Sequence, residues 1–141
     1  MALRRLPDEA LFAAIITALR ADATVVATAT RGSFTEVPQG TSAPYNKVQA
    51  PTASRTDTCG RWGASTVIDV DSVSAGDTQA PGLRMRAAVM SALHAQTLAM
   101  TGHTMLGVQW ETSEYFPEVV NGLKYHHHVA TFRVWTEQSS T

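Results

Sequence analysis

Leu11, Phe12, Ile15, Ile16 and Leu19 recur at three- and four-residue spacing and fall on one stripe of a helix. Pro7 suits a first helical turn, Asp8 and Glu9 favour the positive end of the helix dipole, and Arg20 favours the other end. This spacing predicts an amphipathic helix over residues 7–21. Leu83, Met85, Val89, Met90 and Leu93 repeat the pattern and predict a second helix, starting near Thr78 with Pro81 in an early position and reaching residues 95–97. Between the two the period changes. Thr66, Ile68 and Val70 alternate with Val67, Asp69 and Asp71, which is a strand with one wet face. Shorter strands are expected at 32–37 and 45–49. The stretch 24–30, TVVATAT, allows a short helix or a strand, and its β-branched residues favour strand.

The C-terminal run 103–135 reads as two long strands folded back through the turn PEVVNG. One arm carries Met105, Val108, Trp110, Tyr115 and Phe116; the other carries Leu123, Tyr125, Val129, Phe132, Val134 and Trp135. Aromatic and β-branched residues at this density fit a half-buried pleated surface. A fold about residues 119 and 120 sets His126 near Ser113, His128 near Glu111 and His103 near Thr136. The segment 50–63, APTASRTDTCGRWG, is small, polar and turn-rich. It is either a flexible loop or the tip of an extended β-arm. The order of elements gives one α+β domain over 1–141: an antiparallel β-sheet with two amphipathic helices packed on one face, a long C-terminal β-hairpin, and a polar tail at 137–141 that frays.

Composition narrows the function. A formal net charge of -1 over 141 residues leaves no global basic excess for gripping duplex nucleic acid. Cys59 is the only cysteine, which excludes an intrachain disulfide and a cysteine-based zinc site. The arginines ahead of the first apolar run superficially suggest an export signal. Asp8, Glu9 and the amphipathic spacing argue against one, and no stretch approaches the roughly 20 apolar residues that span a bilayer. A soluble protein with no membrane partner is expected.

Candidate chemistry is sparse. In a strand, His126 and His128 share one face and His127 takes the other. With Glu111 opposite, His126 and His128 make a candidate metal site, but no further ligand cluster accompanies them and ordinary strand histidines are favoured. Asp69 and Asp71 share a face without a nearby base or phosphate loop, so a solvated or subunit-facing surface is favoured over acid–base chemistry. Cys59 lies near Arg55 and Arg61, which would lower a thiol pKa, yet no histidine partner is evident in the sequence. Met85 and Met90 read as core filling, and Arg84 and Arg86 as a solvated helix face. No nucleophile elbow, Walker loop, HExxH or dinucleotide fingerprint occurs.

Several stretches, taken together, resemble a known family. They are the helix LFAAIITALRAD, the turn and strand VPQGTSAPYNKVQ, the strand VIDVDSVS leading into LRMRAAVMSALHA, and the ending GLKYHHHVATFRVWTE. The chain resembles the tail-terminator (tail-completion) family of long-tailed bacteriophages and gene-transfer particles, a group that includes the phage lambda U protein. It departs from the family at His127 and His128 and in its long 50–63 connection. The resemblance implies a structural virion protein with no catalytic residue and no cofactor. It implies a homo-oligomer, typically a hexameric ring, on the head-proximal end of the tail tube. That ring ends tube polymerisation and meets a head–tail connector or stopper protein, while genomic DNA passes through the lumen without sequence-specific binding. Such a protein is found in the tail or neck of the virion and in the host cytoplasm during assembly. Under this reading the 50–63 segment meets a neighbouring subunit or tube ring, and Pro51, Thr52, Ser54, Arg55, Asp57, Arg61, Asp69 and Asp71 are candidate contact residues. Alternatives are another neck or head–tail joining protein and a small metal-binding domain built on His126 and His128.

Overall fold

The computed structural model of the chain describes residues 6–56 and 62–139, except for the side chains of residues 50 and 51. Its first element, α1 (Asp8–Ala21), follows the predicted stripe and buries Leu11, Ala14, Ile15 and Leu19. Arg20 does more than complete the helix dipole: Nε and Nη2 donate to the Ser33 carbonyl at 3.2 and 3.0 Å. The next stretch is a helix, α2 (Ala23–Thr28), where a strand was favoured. Asp22 decides it. Its Oδ1 accepts from the backbone N–H groups of Thr24 and Val25 at 3.0 Å each, satisfying donors that a helix start otherwise leaves open.

The remaining elements are β1 (Ser33–Phe34), β2 (Tyr45–Arg55), β3 (Gly63–Ala75), α3 (Ala80–Leu93), β4 (Ala99–Met100), β5 (His103–Val120) and β6 (Leu123–Gln138). One six-stranded sheet has the order β1-β2-β3-β6-β5-β4, antiparallel except where β1 runs parallel to β2. The α+β class and the long C-terminal strand pair are as expected, with three helices among the described residues rather than two. Leu11, Ile15, Leu19, Val89 and Leu93 of the helices meet Ile68, Val70, Phe132 and Val134 of the sheet in one buried cluster. No helix among the described residues is long and apolar enough to cross a membrane.

The hairpin turns two residues later than expected. Val120 faces Leu123 across Asn121 and Gly122, whose φ values of 51° and 78° are those of a type I′ turn. Asn and Gly tolerate this conformation, and Pro117 is accommodated in a strand whose outer side is open. Every cross-strand partner moves with the turn. His126 faces Pro117 instead of Ser113, His128 faces Tyr115 instead of Glu111, and His103 faces Gln138 instead of Thr136.

The described part of the 50–63 segment is largely β-arm. β2 runs to Arg55, β3 begins at Gly63, and the Thr56 N–H donates to the Gly63 carbonyl at 2.9 Å. Asp57, Cys59 and Arg61 lie outside the described residues. At the other end β6 continues into the stretch expected to fray, where Glu137 pairs with Gly63 and Gln138 with His103.

Candidate interaction surface

Alternation along β6 divides the sheet into two faces. His126, His128, Ala130, Phe132 and Val134 are buried beneath the helices, whereas Tyr125, His127, Val129, Thr131 and Arg133 are half-buried on the opposite face. The three consecutive histidines therefore have three different surroundings.

His126 is pinned on both sides. Its Nε2 lies 2.8 Å from the Gly76 carbonyl and its Nδ1 lies 2.9 Å from the Tyr115 hydroxyl. A carbonyl only accepts, so Nε2 carries a proton, and in the neutral ring Nδ1 then accepts from the Tyr115 hydroxyl. His128 is fully buried and neither ring nitrogen has a hydrogen-bond partner among the described residues. Gly82 of α3 lies against it so closely that a Cβ there would collide with the His128 ring and with Ser74 Oγ. Burial lowers the His128 pKa, with Arg86, His126 and His127 adding in the same direction, so the charged ring is disfavoured.

His127, on the helix-free face, lies between two carboxylates: Nδ1 is 2.7 Å from Asp71 Oδ2 and Nε2 is 3.2 Å from Glu118 Oε2. Phe116 stacks on the ring, with centroids 4.5 Å apart and planes 7° apart. Burial raises the Asp71 pKa, and the hydrogen bond from His127 pulls it back. Asp69 accepts from the Thr131 hydroxyl at 2.6 Å. The two aspartates thus serve separate cross-strand contacts and do not form a carboxylate pair. Glu111 engages Arg133 at 2.5 Å, far along the register from His128, and no group of three or more potential ligands capable of holding a metal occurs among the described residues. The candidate site of His126, His128 and Glu111 is not brought together.

Polar capping covers only part of each sheet edge. β4 pairs with β5 at His103 and Thr104 alone. Past it, Ala95 donates to the Val108 carbonyl, the Trp110 N–H donates to His94 Nδ1, and Arg86 donates to the Glu114 carbonyl. On the far side β1 covers β2 only at Asn46 and Lys47. Of the expected contact residues, Thr52, Ser54 and Arg55 are exposed along the β2 arm, with Arg55 lying 5.0 Å over the Trp62 ring. Pro51 lies in the same strand.

Sequence reasoning missed the hairpin tip. Val119, Val120 and Leu123 flank Asn121-Gly122 and are exposed by 68%, 42% and 58%. Val119 and Val120 fall within the expected turn PEVVNG, and Leu123 is already expected on the second strand. The Asn-Gly pair was the available signal, since it marks the two central residues of a two-residue hairpin and leaves Val119 and Val120 to the strand.

A chain in a solved structure of the virion of a native gene transfer agent (GTA) particle shares this fold, with a TM-score of 0.84 and 21% identity over 95% of this chain and 99% of that one. No curated protein matches the chain. The model of the family described as tail completion protein gp17 matches residues 13–137, from within α1 to within β6, so this chain belongs to that family of structural, non-enzymatic virion proteins.

Proposed function

We propose that the chain is a tail terminator: copies of it form a ring, typically of six, on the head-proximal end of the tail tube. The ring ends tube polymerisation and presents its other side to a head–tail connector or stopper protein. DNA passes through its lumen, and the near-neutral charge of the chain suits a passage that does not grip. The observation that carries this reading is the family match across most of the chain. The surface supports it, since an exposed β2–β3 arm, partly open sheet edges and an apolar hairpin tip are features that partner subunits would cover. Thr52, Ser54 and Arg55 on the arm are the contact residues this reading retains. Asp69 and Asp71 already bond within the subunit.

The test is light scattering with negative-stain imaging on the purified protein, alone and mixed with its tail-tube protein. Rings, or caps on one end of tubes whose growth then stops, are expected. A protein that leaves tube growth unchanged but binds a connector would instead be a neck or joining component.

A further inference from the structure

Two exposed features on different strands of the sheet carry opposite charge. The first is the hairpin tip, which extends past the last β3–β6 pair at Ala75 and Tyr125. Val119, Val120 and Leu123 form an apolar knob there, and Lys124 stands beside Val119 across the hairpin. No partner holds the Lys124 ammonium among the described residues. The second is a groove of about 490 Å³ at the outer side of β2, with Phe12 and Val48 as its apolar part and Glu9 and Glu36 among its lining residues. Both carboxylates are exposed and have no partner among the described residues.

We propose that the tip of one copy seats in this groove of a second copy, with Lys124 between Glu9 and Glu36. This rests on the ring reading and specifies its subunit contact. A tip and a groove are different surfaces, so the contact is heterologous: each copy offers a tip to one neighbour and a groove to the other. A repeat of that kind closes into a ring when its rotation permits. Strand addition explains the association less well. The open stretches of both edge strands contain a proline, Pro51 in β2 and Pro117 in β5, and proline has no N–H to donate to an added strand. Apolar contact supplies the driving force, and the charges fix register and exclude tip-to-tip pairing, where Lys124 would meet Lys124.

Charge exchange tests the contact. The variants are Lys124→Glu and the pair Glu9→Lys with Glu36→Lys, all at exposed positions, with circular dichroism and melting confirming that each folds. Assembly is read by light scattering, and by pelleting with tail tubes. Each variant alone should associate at least roughly tenfold more weakly than the wild type, because like charges then meet at every contact. An equal mixture should recover rings, because copies alternating around an even-numbered ring restore opposite charges at each junction. Unchanged assembly of either variant, or a mixture that stays dissociated, overturns the proposed contact while the ring reading stands. Normal rings of Lys124→Glu that no longer cap tubes would assign the tip to the tube protein and also overturn it. A wild-type protein that forms neither rings nor caps removes the ring reading and this contact together.

Discussion

His126 holds the outer half of the hairpin to the body of the molecule. Its ring joins the Tyr115 hydroxyl on β5 to the Gly76 carbonyl at the end of β3, two places 39 residues apart in the chain. Tyr115→Phe removes the donor and leaves Nδ1 buried without a partner. The expected cost is about 1–3 kcal/mol in urea unfolding, and an unchanged midpoint would show that the bond contributes nothing. His128 makes a different prediction. Because burial lowers its pKa, the unfolded chain binds a proton on this histidine more readily than the folded one. Its neutral ring is therefore compatible with full stability above the ordinary histidine value of about 6.5. Stability falls as pH drops from there toward the lowered folded value. His128→Leu should flatten the loss of stability as pH falls below the ordinary histidine value of about 6.5, and a slope equal to that of the wild type would exclude the role. Asp71 has a raised pKa and works with the opposite sign, losing stability as pH rises from the ordinary aspartate range. Comparing slopes between variants, with Asp71 common to both, isolates the histidine.

At the scale of elements, local chemistry and tertiary demand compete most visibly in α2. The β-branched residues of TVVATAT point toward strand, but one carboxylate at Asp22 caps two N–H groups and the helix forms. Asp22→Ala should cost about 1 kcal/mol by thermal or urea unfolding. The β2–β3 arm carries a prediction of the opposite kind, in which assembly changes and stability does not. Deleting residues 52–58 should leave a folded monomer, because the core pairs of β2 and β3, such as Val48 with Val70, lie nearer the other end of the strands. That monomer should fail to form rings in light scattering. A deletion variant that assembles normally would remove the arm from the interface.

For the whole molecule, α1, α3 and the sheet share one core, so damage at its centre should be felt throughout. Phe132 is fully buried there, among Leu11, Val89, Val134 and their neighbours. Phe132→Ala should cost about 3–5 kcal/mol and lower the unfolding midpoint in a single transition. Two separate transitions would mean that the helices and sheet unfold independently.

The sequence by itself determined which face of α1 and β3 is apolar, because a period of 3.6 or 2 is carried by each residue's own position; β6 carries apolar residues on both faces, and only the packed helices decided which one is buried. The sequence also determined that His127 opposes His126 and His128, and it held the family's distributed pattern of elements. Tertiary structure decided what those residues meet. Moving the turn from 119–120 to Asn121-Gly122 preserved the face of each histidine, because the register moved by an even number of residues, but replaced every partner. Glu111 went to Arg133, and His128 went to Tyr115 and Gly82. The His127–Asp71 bond spans 56 residues and depends on the β3–β6 register as well as on the strand's own period. The β-arm and the apolar tip were obscured for the same physical reason. Polar or turn-forming residues enter a strand whenever its partner strand supplies the backbone hydrogen bonds, and only the assembled sheet shows where that support ends.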